Sequence, residues 1–138
     1  MANFFYGCSS LQNEDLSKIK ANSISSMENM FYECTSLISL DFSNNEITSV
    51  STMKNMFFGC YNLTIINLNN LNANNLETME EMFTNCISLI YVYLSNFKAP
   101  KLTNMYHLFY NCKSLEYLNL SSFNSLYLKF LNFYNCRT

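Results

Sequence analysis

The chain of 138 residues is poor in the residues that usually punctuate a fold: glycine occurs twice, proline once and tryptophan never. Such scarcity is unusual for a loop-rich domain. It leaves the turns to asparagine and serine, which tolerate left-handed backbone or bond their own main chain. Gly7 and Gly59 are isolated, so there is no glycine-rich phosphate loop. With one histidine, His107, and no Cys-x-x-Cys pair, the chain offers little for zinc and no Cys–His or Ser-His-Asp constellation. Charged residues make up only 13%, with a net charge of −2. That balance gives no basic footprint for nucleic acid and no polybasic patch for an anionic membrane. No apolar run approaches the roughly 18 residues of a spanning helix, so direct membrane insertion is not expected. The opening Met1-Ala2-Asn3-Phe4-Phe5-Tyr6 has neither the charged segment nor the cleavage site of a signal peptide.

What is present is apolar material, 49% of the residues, enough for the core of one domain. It is arranged with a period of 26 residues. Met1, Met27, Met53, Met79 and Met105 form one column, which Leu131 continues. Phe5, Phe31, Phe57, Phe83 and Phe109 form a second, and Leu11, Leu37, Leu63, Leu89 and Leu115 a third. Cys8, Cys34, Cys60, Cys86 and Cys112 form a fourth, with Cys136 two residues early. Several columns in one register mark a repeat architecture. The copies are 1–26, 27–52, 53–78, 79–104 and 105–130, with a partial copy at 131–138.

Two local patterns alternate within a copy. Met27-Glu28-Asn29-Met30-Phe31-Tyr32 places apolar groups at i, i+3 and i+4, the spacing of a helical face. The spacing predicts a short helix of about one and a half turns, dependent on packing for its stability. Ser26, Thr52, Thr78 and Asn104 stand at its N-cap, and Thr78-Met79-Glu80-Glu81 reads as a capping box. Gly7, Gly59, Asn85 and Asn111 stand where a left-handed residue ends a helix, with Glu33 as the exception. After the cysteine, Leu37-x-x-Leu40-x-Phe42 recurs as Leu63-x-x-Ile66-x-Leu68, Leu89-x-x-Val92-x-Leu94 and Leu115-x-x-Leu118-x-Leu120, a short strand with one buried face. Ile24, Val50, Leu76, Leu102 and Leu128 then lead into the next copy. Neither element can bury its apolar face alone, so the copies must stack.

The pattern Leu-x-x-Leu-x-Leu followed by Ser or Asn resembles a leucine-rich repeat. The segment from Val50 through Met53, Met56, Phe57 and Cys60 to Leu63 resembles the BspA-like leucine-rich repeats, including 26-residue repeats of mycoplasma surface proteins. The resemblance spans essentially the whole chain and implies an α/β fold: a leucine-rich-repeat-like solenoid of five strand-plus-short-helix repeats with a parallel β-sheet on one face. It also implies a cell-surface protein that adheres to host proteins. The chain departs from the pattern at Glu14, in place of a core aliphatic, and at Asn45, where Leu71, Phe97 and Phe123 stand; Ile47 is placed to compensate. Phe130 occupies the cap position of copy five. A solenoid normally carries polar end caps, so an array without them is expected to be part of a longer protein.

Six cysteines could form a disulfide framework, since neighbouring copies bring them within reach. In a stack, however, their Cβ vectors run parallel, and the reading that fits the core register is a ladder of buried, reduced thiols. The Met and Phe columns are core filler. His107 shares a repeat position with Asn29, Asn55 and Glu81 and should point outward as surface decoration. The adjacent Glu80 and Glu81 suit a helix start better than acid–base work. Asn62-Leu63-Thr64 and Asn119-Leu120-Ser121 match the glycosylation sequon, as chance matches would in so Asn-rich a chain.

The informative surface is the outer face of the sheet. Ser39, Asp41, Ile65, Asn67, Tyr91, Tyr93, Glu116, Tyr117 and Asn119 are expected there. Tyrosine gives large contact area at low entropic cost, so Tyr91, Tyr93 and Tyr117 form the candidate partner-binding patch, with Asp41, Ile65, Asn67 and Asn119 beside it. Aromatic residues also suit strands for packing reasons alone. No catalytic, cofactor or metal residue is expected, so the chain reads as a non-catalytic module for a protein partner or a glycan. Two roles compete: adhesion or recognition at a cell surface, implied by the resemblance, and scaffolding inside a cell, favoured by the absence of a signal peptide. Thiol titration of the denatured, unreduced protein should count six free thiols; a lower count would reveal disulfides.

Overall fold

The computed structural model describes residues 1–17, 21, 23–123, 131 and 133–137. Leu128 and Phe130, assigned above to the anchor and cap of copy five, lie outside the described residues. Each 26-residue copy contributes one short strand: β1 (Asn13–Asp15), β2 (Ser39–Asp41), β3 (Ile65–Asn67), β4 (Tyr91–Tyr93) and β5 (Tyr117–Leu118). The strands form one parallel sheet in chain order. Glu14 pairs with Leu40, Leu40 with Ile66, Ile66 with Val92 and Val92 with Leu118, so the sheet register equals the sequence period. Parallel bridges at Ser26–Thr52–Thr78–Asn104 and at Glu46–Asn72–Lys98 repeat that register at two further places around the copy.

The expected short helices are not formed. Residues 27–34 are a chain of turns, and no helix occurs among the described residues. Local bonds span three residues: Met30 N–H to Met27 O, Tyr32 N–H to Asn29 O and Cys34 N–H to Phe31 O. The intervening amides leave the copy altogether. Met27, Asn29, Phe31 and Glu33 donate to the carbonyls of Thr52, Lys54, Met56 and Phe58 at 2.8–3.1 Å. An α-helix is blocked because the third residue of the segment is left-handed in every copy, with φ of 59° at Asn3, 53° at Asn29, 55° at Asn55, 54° at Glu81 and 52° at His107. A lone turn and a half of helix would be marginal, whereas these turns bond every copy to its neighbour.

Part of the capping chemistry survives without the helix. Ser26 Oγ, Thr52 Oγ1, Thr78 Oγ1 and Asn104 Oδ1 each accept the N–H two residues on, at 2.9–3.2 Å, closing side-chain turns. The left-handed conformation expected at Gly7, Gly59, Asn85 and Asn111 is present, and Glu33 shares it at φ 54°. A further left-handed column, Asn44, Asn70 and Asn96, turns the chain after the strand. Its carboxamides form a ladder, Asn96 Nδ2 to Asn70 Oδ1 and Asn70 Nδ2 to Asn44 Oδ1, both at 3.0 Å.

The core is a set of stacked columns. Met27, Met30, Phe31, Cys34, Leu37, Phe42 and Val50 of copy two are fully buried, as are their counterparts in copy three. The phenylalanine rings lie face over face: Phe31, Phe57, Phe83 and Phe109 follow one another at 5.3–5.5 Å with planes within 7°. Burying each such ring contributes about 2 kcal/mol relative to exposure. The cysteines stack beside them as free thiols. They do more than fill space. The thiols of Cys34, Cys60, Cys86, Cys112 and Cys136 each donate to the carbonyl of the preceding copy's phenylalanine, at 2.9–3.1 Å.

The irregular positions are absorbed locally. Glu14 does occupy the inward column opposite Leu40, and stays half-buried. Asn45 is buried and donates through Nδ2 to Leu16 O at 2.7 Å and Phe42 O at 3.2 Å, so its amide is satisfied by main chain. Ile47 is fully buried where the smaller Ala73 stands in the next copy, restoring the volume lost at Asn45. Phe133 stacks on Phe109 and Tyr134 on Tyr110, so the offset of the last copy is already two residues short at Phe133, upstream of Cys136.

Glu81 is a carboxylate side chain in a left-handed conformation that costs an ordinary residue about 1 kcal/mol and asparagine less. Glu81→Asn, the residue of copies two and three, should raise unfolding stability by about 0.5–1 kcal/mol in urea titration. A lowered midpoint would contradict the assigned backbone.

Candidate binding face

Parallel strands in full register place like positions side by side, so the outward residues fall into two rows about 4.8 Å per step. One row runs Asn13, Ser39, Ile65, Tyr91, Tyr117, and the other runs Asp15, Asp41, Asn67, Tyr93. The inward residues Leu40, Ile66 and Val92 are buried, so the strands alternate as the sequence requires. All seven proposed contact residues lie on or directly beyond these strands.

The three tyrosines do come together. Tyr91 and Tyr93 lie with ring planes 4° apart at 6.2 Å, and Tyr117 leans on both, 6.5 Å from Tyr91 and 5.5 Å from Tyr93. Tyr91 is 37% and Tyr117 44% exposed, with Ile65 beside them at 38%. Tyr93 is half-buried and forms one wall of a shallow depression of about 530 Å³ over β1–β3. Its floor and rim include Glu14, Ser39, Asp41, Ile65 and Asn67.

The polar members of the patch have another duty. Asp41 Oδ1 accepts the N–H of Ser43 at 2.9 Å, Asn67 Oδ1 that of Asn69 at 3.1 Å, and Asn119 Oδ1 that of Ser121 at 2.9 Å. Asp15 Oδ1 does the same for Ser17 at 2.9 Å. These are Asx turns that end each strand. Their signal is legible in the sequence as Asp-x-Ser, Asn-x-Asn and Asn-x-Ser at the ends of β1, β2, β3 and β5. Tyr93 breaks the series, and Ser95 N–H turns instead to Asn69 Oδ1 of the preceding copy at 2.8 Å. Along the rows, Ser39 Oγ donates to Asn13 Oδ1 at 2.8 Å and Asn67 Nδ2 to Asp41 Oδ2 at 3.2 Å.

Glu116 stands just before β5 and pairs with Arg137. His107 does not project freely: its ring stacks on Tyr106 at 3.8 Å and contacts Tyr110 at 4.9 Å. Glu80 bridges Lys54 Nζ at 2.8 Å and Asn104 Nδ2 at 3.0 Å, and the Lys54 hydrogen bond, together with its charge, holds the Glu80 carboxyl below the ordinary carboxylate range. The Asn62 carboxamide of the first sequon donates to Thr35 O at 2.8 Å. Burial pushes the Cys34 thiol up to about 11 and raises Cys60, Cys86 and Cys112 as well, so none is a ready thiolate nucleophile near neutral pH. Among the described residues, no group of three or more His, Cys, Asp or Glu side chains could hold a metal ion, and no helix is long and apolar enough to cross a membrane.

Copies joined by one continuous parallel sheet, with an aromatic cluster on its open face, define a repeat protein. A family model described as Mycoplasma protein of unknown function, DUF285, matches residues 1–123, and the chain belongs to that family. Neither the curated proteins nor the solved structures contain a match to the chain.

The Asx turns predict a cost in stability rather than in recognition alone. Asn67→Ala removes the acceptor for Asn69 N–H and the donor to Asp41, and should cost about 1–2 kcal/mol in denaturant unfolding. A change below about 0.5 kcal/mol would show that the turn closes without that side chain.

Proposed function

We propose that the chain is a non-catalytic binding module, a BspA-like solenoid of the leucine-rich-repeat type, whose sheet face engages a protein partner at a cell surface. The observation that carries the reading is the Tyr91–Tyr93–Tyr117 cluster, three rings in mutual contact on the open face with two of them more than one-third exposed. Exposed aromatic clusters of this kind mark interaction sites, because each ring releases much water for few frozen torsions. The stacking columns account for Met, Phe, Cys and Leu, but nothing in the stack requires tyrosine at these three positions. Copies two and three fill the equivalent places with Ser39, Asp41, Ile65 and Asn67 and pair equally well. The buried thiols and the stacked His107 support a role without chemistry. The surface location rests on the resemblance of the repeats.

The test is a triple variant, Tyr91→Ser, Tyr93→Ser and Tyr117→Ser. Loss of the ring pairs should cost about 1 kcal/mol each at most, leaving a folded protein by circular dichroism. In affinity capture from host extracts, proteins retained by the wild-type array should be lost from the folded variant. Equal capture by the two would remove the tyrosine face from consideration.

A further inference from the structure

A groove of about 580 Å³ runs along the stack beyond the strands, and none of its lining residues lies on a strand. Two columns form most of it: Asn44, Asn70 and Asn96, and beside them Glu46, Asn72 and Lys98. The second column is fixed by its main chain. Parallel bridges join Glu46 to Asn72 and Asn72 to Lys98, with Ile47 N–H bonded to Asn72 O at 2.9 Å and Ala73 N–H to Lys98 O at 2.8 Å. Those bonds leave the side chains unselected, and three chemically different ones stand in one column.

Opposite charges one copy apart pair in this fold, as Lys54 and Glu80 do at 2.8 Å. Glu46 and Lys98 are two copies apart, which separates their main chains by about 10 Å. Both are exposed, and among the described residues neither forms an ion pair. Between them the Asn72 carboxamide oxygen is buried and accepts no hydrogen bond, although buried carbonyls are rarely left without a donor. In the adjoining column Asn70 and Asn96 each use one amide hydrogen on the ladder and keep the second. Among the described residues, then, the groove holds an unpaired carboxylate at one end, an unpaired ammonium at the other and unmatched amide groups between.

We infer that the groove binds a short free peptide, extended along the stack, with its amino terminus at Glu46 and its carboxylate at Lys98. A zwitterion answers both charges at once. Three residues at roughly 3.3 Å each span about 10 Å, so an extended tripeptide matches the charge separation. The spare hydrogens of Asn70 and Asn96 serve its carbonyls, and a turn of the Asn72 side chain brings the oxygen to a peptide N–H. A neutral saccharide would leave both charges unanswered, and an internal segment of a protein would bring no terminal charges. The site is separate from the tyrosine face and does not depend on it.

The probes are trialanine, its N-acetylated and C-amidated form, and free alanine. Each is titrated into the isotope-labelled full chain and followed by amide chemical shifts. Trialanine should bind saturably, with shifts concentrated at Asn72, Ala73 and Lys98. The blocked tripeptide should bind about ten-fold weaker, and alanine, too short to reach both charges, at least as weakly. Glu46→Gln and Lys98→Gln should each weaken trialanine about three-fold, as expected for an exposed charge pair. Raising salt from about 50 to about 300 mM should weaken it as well, as screening shortens. Both variants are expected to fold, since Asn72 holds the same position without charge. The triple tyrosine variant should bind trialanine as the wild type does. Equal binding of the free and blocked tripeptides, absence of saturable shifts in the groove, or indifference to both charge substitutions overturns the inference. Loss of trialanine binding in the triple tyrosine variant places the peptide on the sheet face and overturns it too.

Discussion

Each copy in this chain sends alternate main-chain N–H groups out of its turn and into the carbonyls of the copy that follows, and nearly everything else in the structure accommodates that requirement. The bonds from Met27, Asn29, Phe31 and Glu33 are repeated from Met53, Asn55, Phe57 and Gly59, and again from Met79, Glu81, Phe83 and Asn85. An amide can face the next copy only if its neighbours do not wind it into a helix. The left-handed residues at the third and seventh positions of each copy provide that interruption. The strict 26-residue period follows. Where the spacing shortens by two residues, the ladder still closes, with Asn111 N–H donating to Tyr134 O at 2.9 Å and Phe133 stacked on Phe109.

The same constraint gives the side-chain columns their character. Atoms one copy apart lie about 5 Å from one another, so flat rings stack and small polar groups bond up the axis. The phenylalanines do the first; the Asn44–Asn70–Asn96 carboxamides do the second. The cysteine column combines both kinds of behaviour. Its sulfurs are buried like hydrophobes, but each S–H is aimed at the carbonyl of the preceding copy's phenylalanine, which already accepts the main-chain N–H three residues on within its own copy. Parallel thiols aimed at main chain are not aimed at one another, which accounts for their remaining free.

On the open sheet face the repeat constrains main chain and inward side chains only, and there the copies diverge, from carboxylates at one end to tyrosines at the other. Asp41, Asn67 and Asn119 end their strands as Asx turns, and Asn67 Nδ2 donates in addition to the second carboxylate oxygen of Asp41.

The stacking period, the strands, the buried columns and the outward tyrosines were legible in the residues, because a strand's alternation and a fixed register are properties of spacing. The left-handed ends at Gly7, Gly59, Asn85 and Asn111 were legible too, because glycine and asparagine are the residues that bear positive φ. The helix was not. Apolar groups at i, i+3 and i+4 suit a helical face, but the same three positions are buried by a chain of turns. The decision between them is made by bonds to the copy 25 residues on, which no local window contains. For the same reason the thiol bonds, the ring contacts of His107 and the depression beside Tyr93 were decided only in three dimensions: each joins groups whose nearness is created by the stack itself.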